Sequence, residues 1–230
     1  MKINRKFEYV QLERITRDDG VRHYRCPVTN LLLPSVTTIL SGTEDKKGLL
    51  EWRARVGDQK ADEIRDEACA LGGLMHLHIE NYVSGIARPR GNNFIRVQAE
   101  RMADQIINRG LPNVDEIWGQ EVMLYYPGLY AGTTDLVGIY KGEEAIMDHK
   151  TARKMKKRSD ILNYLHQIPA YAIAHDELYG TKIKTGVIFM VDREFNYQEF
   201  VIDITELETR KGEWLDRVTA YMNQYGYPVE

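Results

Sequence analysis

Two acids and a lysine stand near the ends of two neighbouring predicted strands. The segment "IMDHK" closes an apolar run with Asp148 and Lys150, and Asp135 lies thirteen residues earlier, in "GTTDLVG". A hairpin turning at "KGEE" would bring the two acids together, and such charges are costly to bury unless a cation joins them. With the backbone carbonyl of His149, the acids would form an oxygen-rich site suited to Mg²⁺ or Mn²⁺. For D-x-K alone, a solvated strand end is the alternative interpretation.

The chemistry indicated by this group is phosphodiester hydrolysis. A divalent ion lowers the pKa of a bound water and stabilises charge on a phosphate. Lys150 could orient or activate that water, or neutralise the transition state. Because side chains alternate along a strand, Asp148 and Lys150 share one face of the sheet, and the His149 side chain is expected to point away.

A predicted helix upstream offers a third ligand. In "GGLMHLHIENY", His76 and Glu80 are four residues apart and therefore share one helical face. His76 would bind metal together with the acids, while Glu80 would orient His76 or hold water in the outer shell. His78 lies about 200° around the helix from His76 and is excluded from the same site. A packed, non-ligating histidine is the alternative for His76.

A second helical pair lies downstream, in "LHQIPAYAIAH". Gln167 and Tyr171 are four residues apart, so both face the same side of a helix. They could bond to a phosphate or a base, or hold Lys150 in position. An ordinary amphipathic helix, with Ile168 and Ala172 in the core, is the alternative.

Basic and aromatic residues near these motifs are candidates for DNA contacts. The segment "KTARKMKKR" follows the D-x-K motif directly, and its position favours contacts with phosphates over a merely solvated face. Trp52, in "EWRARVG", could stack on an unpaired base, although core packing would also explain it. The candidate DNA-binding residues are Arg153, Lys154, Lys156, Lys157, Arg158, Trp52, Arg53 and Arg55.

The composition is typical of a globular protein, and the net charge does not indicate a surface that binds nucleic acid over its whole extent. The 230 residues are 43% hydrophobic and 28% charged, with a net charge of −3, so nucleic-acid binding must come from a local patch. Two cysteines cannot supply a four-cysteine zinc or iron–sulfur site. We find neither a signal-peptide pattern nor a run long enough to span a bilayer, and therefore expect a cytoplasmic protein with no membrane contact.

The hydrophobic pattern predicts a mixed α/β fold around a central sheet. We expect a single domain over 1–230, with a strand and turn region at 1–33, a helical region at 34–110 and a catalytic core at 111–230. Ser35 is placed to cap a short helix. Helices are predicted over 45–85 (broken near Gly57 and near Gly72–Gly73), 93–108, 160–178 and 205–225. Strands are predicted over 116–126, 129–141, 143–150, 184–192 and 197–204.

The motifs, taken in order, resemble a known family. G-x-x-x-H-x-x-x-E at Gly72–Glu80, G-x-x-D at Gly132–Asp135, D-x-K-T at Asp148–Thr151 and Q-x-x-x-Y at Gln167–Tyr171 match the RecB-like branch of the PD-(D/E)XK nucleases. "LPSVTTIL" and "LLEWRARVG" look similar to the mitochondrial genome-maintenance exonuclease group and its phage relatives. The resemblance covers about Pro34 to Ile202, and the lack of a cysteine quartet separates the chain from the CRISPR-associated iron–sulfur nucleases.

The resemblance implies a nuclease core with a helical arch over the sheet. His76, Asp135 and Asp148 would bind Mg²⁺ or Mn²⁺, Lys150 would be catalytic, and Gln167 and Tyr171 would support the site. It further implies a DNA exonuclease that prefers single strands or free ends, acts in replication, recombination, repair or degradation, and meets a replication or recombination partner. A phage-encoded enzyme in a bacterial cytoplasm is the expected setting. A structure-specific or restriction-type endonuclease and a non-catalytic DNA-binding subunit are the alternatives.

Overall fold

The structure is a computed structural model that describes residues 1–229, and these residues form strands and helices in the order predicted. The strands are β1 (Lys2–Ile3), β2 (Arg14–Thr16), β3 (Arg22–Arg25), β4 (Leu32–Pro34), β5 (Val114–Tyr126), β6 (Tyr130–Tyr140), β7 (Glu143–Ala152), β8 (Thr185–Asp192) and β9 (Tyr197–Ile202). The α-helices are α1 (Val36–Gly42), α2 (Lys47–Val56), α3 (Asp58–Val83), α4 (Phe94–Gln105), α5 (Leu162–Tyr179) and α6 (Ile204–Tyr225).

A six-stranded mixed sheet lies at the centre of the fold. Its strands run in the order β1-β5-β6-β7-β8-β9, and β2, β3 and β4 form a separate antiparallel sheet. Strands β5, β6 and β7 make an antiparallel meander, whereas β8 lies parallel to β7 after the crossover through α5. The fold is therefore the predicted mixed α/β class, and it is consistent with a PD-(D/E)XK-like core.

Each face of the large sheet packs against its own helices. Alternation along β7 directs Ile146 toward the core formed with α1, α5 and α6, and directs Met147 toward the core formed with α3 and α4. Strand β8 is buried along its whole length because helices cover both faces of the sheet. The two helical layers bring residues that are distant in sequence, such as His76 and Tyr171, to opposite faces of the same strands.

The prediction of two helical breaks is right at one glycine position and wrong at the other. Gly57 separates α2 from α3 and has φ of +85°, a conformation that other residues rarely adopt. By contrast, α3 continues without a break through Gly72 and Gly73. A helical glycine costs only about 1 kcal/mol relative to alanine. Burial of Leu71 and Met75 on either side favours the continuous helix.

The other helix ends follow from local chemistry. Ser35 accepts a hydrogen bond from the Thr38 amide and caps α1, as predicted. Asn93 caps α4 in the same way, but α4 ends at Gln105 and the chain continues as a wider π-helical turn, Ile106–Gly110. A Cβ at Gly110 would lie 2.9 Å from the Phe189 ring, so this turn can approach β8 closely only with glycine there.

Cys26 is buried, Cys69 is exposed, and neither forms a disulfide. Across residues 1–229, no helix combines the length and the apolar character that crossing a membrane requires.

Candidate active site

The two acids lie where the hydrogen-bonded pairing of β6 with β7 ends. That pairing runs from Tyr140 and Glu143 to Leu136 and Met147. Beyond it, the Asp135 carboxylate accepts a hydrogen bond from the His149 amide, at 2.5 Å, in place of a strand carbonyl. Asp135 is 9% exposed and Asp148 is 2% exposed. The hairpin thus brings both carboxylates into a nearly dry position at one point in the sheet.

Lys150 lies beside Asp148 and forms an ion pair with its carboxylate. The Lys150 ammonium also lies 5.1 Å from the centre of the Tyr164 ring, which supplies a cation–π contact. Parallel pairing of β7 with β8 extends from Ala145 to Ala152 and fixes the backbone of both residues. The D-x-K motif is therefore held by a central strand.

His76 reaches Asp135 from α3, on the face of the sheet opposite Asp148. Its Nε2 donates to the His149 carbonyl at 3.0 Å, since a carbonyl can only accept. Its Nδ1 lies 3.4 Å from Oδ1 of Asp135. His76 and Asp135 are thus brought together as predicted from the sequence, and the His149 carbonyl lies at the same place.

The side chain of His149 also belongs to this group, although it points away from Asp148 as predicted. It lies on the face opposite Asp148 and stacks on Phe189, with ring centres 5.8 Å apart. Its Nδ1 is nevertheless 3.7 Å from Oδ2 of Asp135. Donor atoms of His76, Asp135 and His149 all lie within 4.8 Å of one another. Asp135 can reach this face because it lies beyond the last β6–β7 pair.

Two further glutamates border the site. A cavity of about 10 Å³, enough for roughly one water, is lined by Glu80 and Glu121 together with His76, Asp135 and His149. The Glu121 carboxylate is 4.0 Å from Nδ1 of His76. The sequence motifs include Glu80 but not Glu121. Nothing in the sequence distinguishes Glu121 from the other polar residues of a half-exposed strand. The placement of Glu80 beside the cavity leaves its outer-shell role a prediction.

Burial and neighbouring charges set the protonation of these groups. Burial would lower the pKa of His76, but the Asp135 carboxylate outweighs it and raises that pKa to about 10. Burial alone would raise the pKa of Asp135, and the charge of His76 holds it below its usual range. Burial raises the pKa of Asp148, with Asp135 adding to the effect. Burial also lowers the pKa of His149 to about 4, which keeps its imidazole neutral at pH 7.

The Lys150 ammonium is a stable cation despite its position. Burial would lower the pKa of Lys150, but Asp148 and Asp135 raise it. A lysine that stays protonated can neutralise negative charge and donate hydrogen bonds, and it is a poor base.

Gln167 and Tyr171 face the sheet from α5 and are both buried. The Gln167 amide donates to the Tyr171 hydroxyl at 3.2 Å. The Tyr171 ring packs on Gly132, where an added Cβ would lie 2.8 Å from the ring. Lys150 itself contacts Asp148 and Tyr164, whereas Tyr171 contacts Gly132 of β6. Support of the site by Gln167 and Tyr171 stays a prediction.

The basic segment after β7 divides into engaged and exposed residues. Arg158 pairs with Glu206 and donates to the Val201 carbonyl at 3.0 Å. Arg153 lines a cleft of about 300 Å³ between α3 and the end of β7, where Lys60 also lies. Three lysines of the segment are exposed, namely Lys154, Lys156 and Lys157.

The candidates on α2 are placed less favourably. Trp52 is half-buried and Arg55 is exposed. Arg53 is paired with Asp58 at 2.9 Å and with Asp62 at 3.0 Å, so its charge is already matched within the protein. Helix α2 has no fully buried residue, which leaves core packing a weak explanation for Trp52. DNA contacts by these residues remain a prediction.

Comparison with known proteins gives similarity of fold. No family model matches the chain, and no curated protein matches its sequence. A candidate exonuclease from Eubacterium rectale superposes with a TM-score of 0.50 at 15% identity, covering 69% of this chain and 65% of that one. An alkaline exonuclease from Laribacter hongkongensis superposes with a TM-score of 0.35 at 12% identity, over 84% of this chain and 90% of that one. The first match spans slightly less than two thirds of the other protein's length, and it concerns the fold.

Proposed function

We propose that this chain is a metal-dependent DNA exonuclease of the RecB-like branch of the PD-(D/E)XK nucleases. The observation that carries the proposal is that His76 of α3 contacts Asp135 of β6, and Lys150 contacts Asp148 within β7, at the point where the β6–β7 pairing ends. These residues are also the ones that the ordered motifs single out. The more specific likeness to the mitochondrial genome-maintenance group and its phage relatives rests on "LPSVTTIL" and "LLEWRARVG".

The donor atoms fit Mg²⁺ or Mn²⁺. Carboxylate and carbonyl oxygens with imidazole suit these ions. Imidazole nitrogens of His76 and His149 and a carboxylate oxygen of Asp135 lie within 4.8 Å of one another. Within residues 1–229, the His149 Nε2 is buried without a hydrogen-bond partner, and a bound ligand or water could satisfy it. When bound, the ion would supply Lewis acidity toward the phosphate and toward water.

The side chains of this protein have separable roles in the proposed reaction. His76, Asp135, Asp148 and the His149 carbonyl would hold the ion. Lys150, kept protonated by the two acids, would neutralise the charge that develops on the phosphate during attack by water. The buried Gln167–Tyr171 pair would keep Gly132 and the following acid of β6 in place.

The depth of the site favours a single strand or a free end as substrate. Both acids are almost fully buried and α3 carries His76 to Asp135, so we expect that a rigid duplex would have to fray before its backbone reached them. Exposed Lys154, Lys156 and Lys157 next to the site would contact phosphates. A net charge of −3 is consistent with a narrow basic path. Replication, recombination, repair or DNA degradation in a phage-infected bacterial cytoplasm, with a partner protein, is the proposed context.

The test uses end-labelled single-stranded and duplex DNA, incubated with Mg²⁺, Mn²⁺ or EDTA, with Lys150→Ala as control. We expect a ladder of shortening products that disappears in EDTA and in the variant, with a rate loss of about 10²–10³ for the variant. The choice of labelled end gives the polarity. Circular dichroism of the variant establishes that it is folded.

Two other outcomes would replace the proposal. Internal cuts, including cuts in circular single strands, would identify a structure-specific or restriction-type endonuclease on the same fold. DNA binding without hydrolysis by the wild-type protein would identify a non-catalytic DNA-binding subunit.

A further inference from the structure

Glu121 adopts an unusual backbone conformation at the edge of the proposed metal site. Its φ is +49°, in the left-handed region that residues other than glycine rarely occupy. The pairs Gln120–Leu136 and Val122–Thr134 flank it in register, so β5 and β6 remain paired on both sides. The residue of β6 between these pairs is Asp135. The distortion is therefore local and lies next to the first acid of the site.

The distortion directs the Glu121 carboxylate to the atoms that would hold the ion. Its Oε1 is 4.0 Å from Nδ1 of His76, and Oδ1 of Asp135 is 3.4 Å from the same nitrogen. The first separation is too long for a hydrogen bond. Two ligands of one ion, each bound at about 2.0–2.2 Å, are about 3–4 Å apart. Each of the two carboxylate oxygens thus lies at a distance from Nδ1 of His76 that two ligands of one ion would have.

Asp135, Glu121 and Glu80 lie around His76 at this end of the site, so the negative charges outnumber the one positive charge that a protonated His76 supplies. Strand order places Asp135, on β6, between Glu121, on β5, and Asp148, on β7. Among residues 1–229, the ion pair of Lys150 is with Asp148, at one end of this row of acids. At the other end, Glu80 brings a further carboxylate to the same small cavity. Grouped carboxylates of this kind are stabilised by a bound divalent ion.

We propose that Glu121 is a ligand of the divalent cation, holding it from the β5 side of Asp135, and that the positive φ is the conformation this role requires. The inference rests on the proposed metal-dependent function and adds a residue to its binding site. Strained backbone at a non-glycine residue is commonly retained where it positions a functional group.

The experiment measures Mn²⁺ binding to the full chain by calorimetry, without DNA. The variants are Glu121→Gln, which removes the charge, and Glu143→Gln, which removes an exposed carboxylate on β7 that pairs with Lys184. We expect Glu121→Gln to weaken Mn²⁺ binding about tenfold or more, and Glu143→Gln to stay within about twofold of the wild type. Equal affinity of wild type and Glu121→Gln would overturn the proposal.

Glu121→Gly separates ligation from backbone strain. Glycine adopts the positive φ without penalty, so this variant should melt at a higher temperature than the wild type in EDTA while binding Mn²⁺ as weakly as Glu121→Gln. A raised melting temperature with unchanged Mn²⁺ affinity would show that the residue is strained for another reason, and would overturn the assignment.

The same binding data distinguish this proposal from the nuclease assignment. Mn²⁺ binding that depends on Glu121, in a protein that does not cleave DNA, would support the ligand and reject the nuclease. DNA cleavage by a protein whose Mn²⁺ affinity does not depend on Glu121 would support the nuclease assignment and reject Glu121 as a ligand. A wild type that binds no Mn²⁺ would reject both.

Discussion

Tyr171 shows how one buried hydroxyl can be tested for a role beyond packing. Tyr171→Phe keeps the ring on Gly132 but leaves the Gln167 amide without its acceptor. We expect a loss of about 1–3 kcal/mol of unfolding free energy, because a buried donor is left unpaired. If the pair also positions the acids, DNA hydrolysis should fall about tenfold at a temperature where the variant is folded.

Tyr130→Phe is the matched control. Its hydroxyl is buried and donates to the Ala170 carbonyl at 3.0 Å, within the core beside α5. Urea unfolding should show a loss similar to that of Tyr171→Phe, with hydrolysis unchanged. Equal activity losses in the two variants would mean that Tyr171 acts through stability alone.

The residues of the candidate site could be predicted from the sequence to different degrees. The sequence singles out Asp135, Asp148, Lys150 and His76, because their types and order are typical of metal-dependent hydrolysis. It does not single out Glu121 or the His149 side chain. Both depend on local backbone departures, a positive φ and the end of a strand pairing, that side-chain alternation cannot express.

Among the secondary-structure elements, the continuous helix α3 allows a prediction about stability. Gly73 is exposed in its middle, and a Cβ there would contact nothing within 4 Å. Gly73→Ala should therefore raise the unfolding free energy by about 0.5–1 kcal/mol, since alanine is the better helix former. Thermal or urea unfolding measures the change.

Gly138→Ala provides the contrast on β6. Its Cβ would lie 1.9 Å from the Glu116 carbonyl oxygen of the paired strand, which is backbone and cannot rotate away. We expect a loss of more than about 3 kcal/mol, or failure to fold, from overpacking against a fixed strand. A tolerated Gly138→Ala would mean that β5 and β6 are not in the register described.

The segment after β7 predicts a salt-dependent contribution to DNA binding. Lys154, Lys156 and Lys157 are exposed, so replacing all three with alanine should lower the slope of log K against log salt by about 2, at about 0.7 per phosphate contact on single strands. Fluorescence anisotropy in EDTA avoids cleavage. Arg158→Ala should change the slope less, because Arg158 already pairs with Glu206. An unchanged slope in the triple variant would place the DNA elsewhere.

Element order was predictable because the hydrophobic period changes clearly from helix to strand and back. The continuity of α3 through its glycines was not predictable from the sequence. Its glycines weaken the helix locally, and only packing of the neighbouring Leu71 and Met75 into the sheet decides that it continues. The crossover through α5 and the parallel placement of β8 beside β7 likewise depend on contacts distant in sequence.

For the whole molecule, His175 predicts a loss of stability in mild acid. It is fully buried between Tyr9 and Thr181, and burial lowers its pKa to about 4 from the ordinary 6.5. The unfolded chain therefore binds a proton at higher pH than the folded chain does. This group contributes stability above pH 6.5 that is lost as the pH falls toward 4, about 2 kcal/mol between pH 7 and pH 5.

Urea unfolding of the wild type and of His175→Gln, each at pH 7 and pH 5, tests this. The variant starts less stable, because the imidazole packing is lost. Its decrease between the two pH values should nevertheless be about 2 kcal/mol smaller than that of the wild type. Parallel decreases would assign the acid sensitivity to other groups.

The hydrogen bond from the His149 amide to Asp135 provides an amide resonance that should respond to ion binding. A β7 amide beside the acids is bound to a carboxylate instead of a neighbouring strand, so its proton resonance senses the charge on that carboxylate directly. In a nitrogen–proton correlation spectrum, that one peak should shift when Ca²⁺ or Mg²⁺ is titrated in, while amides of the β8–β9 pairing stay in place. Such a shift would report ion binding at the proposed metal site without DNA and without catalysis.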